Sequence, residues 1–514
     1  MEASLPAMAP YLEFNGQYNP SSAPAASIKQ FVVYSRHIGL SIRRIRLIPF
    51  HAIKLKLALC QLFFRLPFNG FLDISHRVSL SIYFYRYIGV NDMRFTNRSN
   101  HLLAFLLATA ASVSEGYAVT ALTSEELLGK ALFFDTSLST PTGQACVDCH
   151  DPKVGWTGPD QDINLHGGVY EGAVATRFGN RKPPSAAYAS FSPSFHRDAN
   201  GDFVGGNFWD GRATGEKLGN PAADQAQGPF LNPLEQNNSG PADVCQKVEV
   251  SNFAMQLTGS SYSELFTRSF GSGTLDCNNP SDTYDRIALA IAAYEASREV
   301  SAFSSKYDAY LRGKAVLTKQ ERKGLAMFEG KAKCSNCHSS KAERHGRTSP
   351  LLTDFTYANN GVPKNPDNPF YRMPVEFNPQ GADWVDTGLG GFLIGRSDFA
   401  QYADENKGKQ KVPTLRNVDK RPSLAYLKAY MHNAAFKSLK EVVHFYNTRD
   451  VLPDCGDISH PEPGINCWPA AEVAANVNRT EMGDLKLSDE EEDAIVAFLK
   501  TLSDGFQPSG HGGD

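Results

Sequence analysis

Three stretches of the chain place apolar residues at helical spacing behind a polar start: "LTSEELLGKALFF" over 122–134, "LTKQERKGLAMFEG" over 317–330 and "LSDEEEDAIVAFLKTLSDG" over 487–505. Each opens with a hydroxyl residue followed three positions later by glutamate: Thr123 with Glu126, Thr318 with Glu321, Ser488 with Glu491. In such a capping box the hydroxyl and the carboxylate satisfy the first free amides of a helix, so the pattern predicts three helix starts. In the third stretch Ile495, Ala497, Phe498 and Leu502 share one face. The first two stretches are copies of one unit. Leu122, Thr123, Glu126, Gly129 and Phe133 match Leu317, Thr318, Glu321, Gly324 and Phe328, all at an offset of 195 residues. Each copy runs into a loop that carries cysteines, and the third helix is expected to pack on the second copy's domain. Between these landmarks Gly and Pro are dense ("QNNSGPAD", "NNGVPKNPDNPF", "DCGDISHPEPG"), which predicts long loops and few strands.

The cysteine loops read "QACVDCHDP" and "GKAKCSNCHSS", giving Cys146, Cys149 and His150 in one and Cys334, Cys337 and His338 in the other. Thiols at i and i+3 on one side of a turn are spaced to add to the two vinyl groups of a haem, and the next histidine offers its imidazole to the iron. A zinc site would draw four thiolates from the two CxxC pairs, which lie 185 residues apart and each carry an immediate histidine. A thioredoxin-like dithiol would need a βαβ context that is missing. Covalent haem c at both sites is the expectation. The fold class that follows is mainly α: two cytochrome c-like domains, each with one covalently bound haem c, long loops and little β. The domains are expected at 119–300 and 301–508, with a flexible tail at 509–514.

Composition adds less. With 514 residues, 41% hydrophobic and 21% charged, the chain is ordinary globular material, and a formal net charge of −4 gives no reason to expect a nucleic-acid partner. The first 92 residues differ: "HIGLSIRRIRLIPFHAIKLKLALCQLFFRLPFNG" is basic and broken by Pro49, Pro67 and Gly70, with no apolar run long enough to cross a bilayer. From Met93 the sequence "MRFTNRSNHLLAFLLATAASVSEGYAV" has two arginines, an apolar core from Leu102 to Ala111 and small residues near Ala118, the layout of a signal peptide over 93–118. Translation from Met93, with 1–92 read through in error, is the simplest account; an interfacial membrane anchor is the other. Export to the periplasm would make the remaining thiols pair, and Cys455–Cys467 and Cys245–Cys277 are the expected disulfides.

Between the copies lies "GGNFWDGRATGEKLGNPAADQAQGPFLNPLEQ". With "LGKALFFDTSLS", "KVPTLRNV" and "LKEVVHFYN", this closely resembles the bacterial di-haem cytochrome c peroxidase and MauG family over about residues 119–505. The resemblance implies that His150 is the proximal ligand of an N-terminal haem where peroxide binds, and His338 that of a C-terminal haem that passes electrons. It implies that Trp209 stands between the haems, that Glu235 is the acid/base over the peroxide iron and that Gln225 lies beside it. Tyr446, in "EVVHFYN", occupies the place of the second ligand of the C-terminal haem. Some members have methionine there and MauG-like members tyrosine; a hard phenolate favours ferric and higher states, a thioether ferrous iron. His166 lies sixteen residues after His150, where some members carry a removable distal histidine, but its surroundings differ from theirs; it is either that ligand or a loop histidine. The family's calcium ion, held by an asparagine and backbone carbonyls, meets a departure: "GNRKPPS" puts Lys182 at the asparagine's place, leaving the carbonyls of Leu427 and Ala429 as donors.

Function then divides three ways. A peroxidase would reduce hydrogen peroxide with electrons from a small donor protein, a cytochrome c or cupredoxin. A MauG-like enzyme would spend the oxidising equivalents on a protein substrate, a use that Tyr446 favours. A non-catalytic electron carrier would leave Glu235 idle. A homodimer is compatible with each.

Overall fold

The computed structural model describes residues 121–341 and 349–507; the extension over 1–92, the signal-peptide segment over 93–118 and the tail over 509–514 lie outside the described residues. All three capping boxes form. Thr123 accepts from the Glu126 amide at 3.2 Å while Glu126 accepts from the Thr123 amide at 2.7 Å, and the pairs at Thr318 and Ser488 do the same. They open helices α1 (Ser124–Phe134), α9 (Lys319–Glu329) and α12 (Asp489–Lys500). The other helices among the described residues are α2 (Gln161–His166), α3 (Pro221–Leu231), α4 (Pro241–Val250), α5 (Phe253–Thr258), α6 (Tyr262–Phe270), α7 (Pro280–Ala296), α8 (Lys306–Leu311), α10 (Gly388–Leu393) and α11 (Leu439–Thr448). Among the described residues, sheet is limited to two antiparallel pairs of two-residue strands, His196–Arg197 with Phe203–Val204 and Tyr357–Ala358 with Gln410–Lys411. The chain is mainly helical with little β, as its pattern predicts.

The repeated glycines have a packing reason. A Cβ on Gly129 would lie 1.8 Å from the Ala290 carbonyl oxygen, and one on Gly324 would lie 1.8 Å from that of Ala494. So α1 crosses α7, and α9 crosses α12, at a distance that only a bare backbone allows. The matching phenylalanines complete the contacts: Phe133 meets Tyr294 edge-on at 5.7 Å, and Phe328 meets Phe498 at 5.1 Å. The closing helix of the chain packs on the second copy as expected.

Two hydrophobic cores form around these crossings, one drawn mostly from Leu128 to Val300 and one from Tyr307 to Leu502. A smaller cluster of Phe195, Phe203, Tyr357, Leu389, Leu393 and Ala403 takes residues from both sides. Buried ion pairs join distant segments: Arg416 meets both carboxylate oxygens of Asp308 at 2.8 and 2.9 Å, with neither side chain more than 1% exposed. Disulfides Cys245–Cys277 and Cys455–Cys467 are both formed.

Candidate functional site: two motif-lined cavities sharing a tryptophan

Each CxxCH begins as a single tight turn, Cys146–Asp148 or Cys334–Asn336, closed by the histidine amide bonding the first cysteine's carbonyl at 3.0 Å (His150) and 2.9 Å (His338). Cys146, Cys149 and His150 line one cavity; Cys334, Cys337 and His338 line another. The two histidines are oriented alike. His150 Nδ1 is 3.1 Å from the Trp156 carbonyl and His338 Nδ1 is 2.9 Å from the Leu352 carbonyl. A carbonyl only accepts, so each Nδ1 carries the proton and each Nε2 keeps its lone pair for a metal. Both carbonyl-bearing residues are held in the left-handed region, with φ of 62° at Trp156 and 56° at Leu352, a conformation that persists for large side chains only when packing enforces it. Burial pushes the His150 imidazole down to about 4, against the pull of the Trp156 carbonyl, and lowers His338 likewise, so burial favours the neutral form of both rings.

These features fit a haem of the c type in each cavity: two thiols and one pre-oriented imidazole on the same wall. The zinc alternative fails because the two CxxC pairs line different cavities. Among the described residues no group of three or more His, Cys, Asp or Glu side chains is placed to hold a metal ion. The dithiol alternative fails too. None of the four cysteines is disulfide-bonded, and burial pushes the Cys146 and Cys334 thiols up to about 12, away from the thiolate a redox dithiol uses.

Glu235 and Gln225 both face the cavity of His150. Gln225 sits within α3, which starts with Pro221 at its first position and Asn220 as its cap. The chain leaves that helix at Asn232, whose carbonyl accepts from the Glu235 amide at 3.0 Å and whose carboxamide donates to Glu235 Oε2 at 2.8 Å. The Glu235 carbonyl in turn accepts from the Ala173 amide at 2.7 Å. Gly172 allows that approach, since a Cβ there would lie 2.4 Å from the Leu234 carbonyl oxygen. Burial raises the Glu235 carboxyl above the usual carboxylate range, partly offset by the Asn232 hydrogen bond and the Arg212 charge.

Trp209 lines both cavities. Its indole Nε1 donates to the Lys182 carbonyl at 2.9 Å and its own carbonyl accepts from the Lys411 amide at 2.8 Å. In the second cavity α11 presents Tyr446, whose hydroxyl accepts from Asn360 Nδ2 at 2.9 Å and lies 3.9 Å from the Met431 sulfur. His166 is brought to neither cavity: it is exposed at the end of α2, with Nδ1 2.9 Å from the Asp162 carbonyl.

Sequence reasoning missed several residues at the site. Behind Trp209, Arg181 bridges Asp386 and Asp210, each contact at 2.6 Å, and His432 Nε2 lies 3.8 Å from Asp386 with its ring 6.3 Å from the indole. Glu295, on the buried face of α7, lines the first cavity with a carboxyl that burial pushes up to about 8. Of these residues only His432, within "AYMHN", is marked in the sequence by its residue type. The calcium ion does not fit: at the position where it would need the asparagine's oxygen, the buried Lys182 ammonium bonds Thr157 Oγ1 at 2.7 Å and the Pro183 carbonyl at 3.0 Å.

Comparisons with known proteins find relatives of one family. The family model for di-haem cytochrome c peroxidase matches residues 123–316. The methylamine utilization protein MauG of Paracoccus denitrificans is 36% identical over 382 residues, covering 73% of this chain and 88% of that protein. The cytochrome c551 peroxidase of Nitrosomonas europaea is 29% identical over 320 residues, covering 62% of this chain and 70% of that one. The crystal structure of the diheme peroxidase BthA from Burkholderia thailandensis superposes with a TM-score of 0.58 at 29% identity, over 75% of this chain and 87% of that one. With two haem-binding motifs walling two cavities around one indole, the chain belongs to the di-haem cytochrome c peroxidase and MauG family of peroxide oxidoreductases.

Proposed function

We propose that this chain is a peroxidase that takes two electrons from a small donor protein, a cytochrome c or cupredoxin, and reduces hydrogen peroxide with two protons to two waters. The observation that carries the reading is Glu235, a carboxyl of raised proton affinity facing the same cavity as His150 with Gln225 beside it. Haem c, bound through Cys146 and Cys149 in one cavity and Cys334 and Cys337 in the other, supplies the iron that binds peroxide and exchanges electrons. His150 Nε2 and His338 Nε2 would hold the iron, while their Nδ1 protons are donated to the Trp156 and Leu352 carbonyls, which fixes ring orientation. Glu235 takes the proton from one peroxide oxygen and delivers it to the other, the general acid–base work that O–O cleavage needs. The Asn232 carboxamide holds that carboxylate in place, and Gln225 supplies an amide beside it. Trp209 spans the wall between the cavities with its N–H bound to a backbone carbonyl, which accepts a hydrogen bond but cannot take the proton away. Tyr446, which lines the same cavity as His338, would supply a phenolate oxygen as a further ligand to the iron held there.

The halves around the two cores act as two cytochrome c-like domains, the first for peroxide and the second for electron entry. Two disulfides and the signal-peptide layout support a periplasmic protein.

A second reading is favoured by Tyr446 and by the 36% identity to MauG: the same oxidising equivalents modify side chains of a partner protein. Steady-state peroxide consumption with reduced cytochrome c or cupredoxin decides. Turnover with a donor supports the peroxidase. No turnover with any donor, combined with an oxidised state that persists in electron paramagnetic resonance after one equivalent of peroxide, overturns it in favour of the second reading.

A further inference from the structure

Two lysines at the junction of the halves are buried with no carboxylate bound to either ammonium. Lys182 Nζ is held by Thr157 Oγ1 and the Pro183 carbonyl. Lys428 Nζ is held by three carbonyls, Val154 at 2.8 Å, Asn417 at 2.9 Å and Lys420 at 3.2 Å. The side chains are 7% and 5% exposed. Their oxygen donors, four carbonyls and a hydroxyl, are the neutral hard set that a calcium ion selects. Here they are already engaged by N–H donors. Asp419, the carboxylate whose charge reaches Lys428, is itself paired with Arg421.

The ammonium contacts also tie the chain across its two halves. Val154 belongs to the loop that follows His150, whereas Asn417, Lys420 and Lys428 come from the second half. The Lys182 amide donates to the His432 carbonyl at 2.8 Å, and the Lys182 carbonyl holds the Trp209 indole at 2.9 Å. A cation placed here fixes the loop behind His150 and the tryptophan shared by the two cavities.

We propose that the ammonium groups of Lys182 and Lys428 are built-in cations that replace a resident divalent ion at this junction, so that the enzyme needs no calcium. Burial pushes Lys182 down to about 8 and Lys428 well below its ordinary value, and the charge of Lys182 adds to the fall at Lys428. A further doubly charged ion among the same oxygens would have to displace both ammoniums into the low-dielectric interior without their partners, which is unfavourable. Each lysine is therefore a positioning residue that acts through the loop and the indole it holds.

The test is metal analysis of full-length holoenzyme by inductively coupled plasma mass spectrometry, with electron paramagnetic resonance spectra before and after dialysis against EGTA. Calcium well below one ion per chain, with spectra and peroxide consumption unchanged by chelation, is the expected result. One calcium per chain retained through gel filtration overturns the proposal. Lys182→Asn removes the charge and restores an oxygen donor. Adding calcium is expected to raise its thermal midpoint and sharpen its spectrum while leaving the wild type unchanged. If calcium alters the two proteins equally, the junction is not a cation site and the exchange is refuted. Because metal content is read without substrate, the outcome is independent of whether a donor protein or a protein substrate consumes the oxidising equivalents.

Discussion

Replacing Glu235 by glutamine removes a proton-accepting group while preserving shape. The carboxamide oxygen can keep accepting from Asn232 Nδ2, now 2.8 Å from Oε2, and the backbone bonds from Glu235 to Asn232 and Ala173 are untouched. Folding stability should therefore stay within about 0.5 kcal/mol of wild type, as for substitutions that break no packing or buried pair. Catalysis should not. A positioned acid–base group contributes about 100- to 10,000-fold, and at about 1.4 kcal/mol per decade the barrier should rise by roughly 3–5.5 kcal/mol. The sign of the pH dependence follows from the environment: burial raises the Glu235 carboxyl, so its protonated fraction extends to higher pH than for a free glutamate, and wild-type activity should fall on the acid side as the base form is lost. That acid limb should be absent in the variant. The assay is the initial rate of peroxide consumption with reduced donor across pH 5 to 8, with a thermal melt as control. A Glu235→Gln rate within threefold of wild type, with the acid limb intact, would refute the assignment of Glu235 as the acid–base group.

Tyr446→Met exchanges a hard oxygen ligand for a thioether and should raise the reduction potential of the second haem, by on the order of 0.1 V or more within the roughly 0.8 V that axial ligands command; spectroelectrochemistry reads it. Asp308→Asn strands the buried Arg416 and should cost about 3–5 kcal/mol in chemical denaturation. Burial alone would raise the Asp308 carboxyl, but the Arg416 hydrogen bonds and charge hold it at about 2 instead of 3.8, so its stabilisation is complete at neutral pH and is lost only as pH falls through that value. Gly324→Ala puts a methyl 1.8 Å from the Ala494 carbonyl oxygen and should cost about 3 kcal/mol or more, or abolish accumulation of the folded holoprotein, whereas Gly240→Ala, with open space around it and an extended backbone, should stay soluble and folded. Reduction of Cys245–Cys277, which closes a separation of 32 residues, should lower stability by about 2–4 kcal/mol without altering the haem spectrum.

What was legible in the sequence is what is local in the chain. A capping box spans four residues, a CxxCH spans five, and each forms where it is written, because the donors and acceptors it joins are neighbours. The 195-residue repeat extends this reach by one step: matched glycines and phenylalanines in α1 and α9 each need a crossing helix, and the first copy's partner, α7, went unnoticed because it opens with Pro280 behind Asn279 and lacks a capping box. Pairing by compartment logic placed both disulfides correctly, since four remaining thiols in an oxidising environment admit few arrangements.

Much of the rest was hidden because loops position Trp209, Glu235 and Arg181, and these segments are fixed by partners far away in sequence. Arg181 meets Asp386 across 205 residues, Asn164 Nδ2 reaches the Tyr426 hydroxyl across 262, and Lys428 reaches the Val154 carbonyl across 274. A buried Asn, Lys or Arg in such a loop reads as surface polarity until its backbone partner is seen, since burial of a polar group is tolerated only when that partner exists. His166 is the mirror case: its spacing from His150 suggests a ligand, but the six-residue α2 turns its ring onto its own Asp162 carbonyl and leaves it in solvent. Spacing along the chain therefore identifies a ligand only where the intervening segment is a single turn, as it is within each CxxCH. Over longer spans the carbonyls of Trp156 and Leu352, not the sequence interval, decide which imidazole nitrogen is free to bind iron.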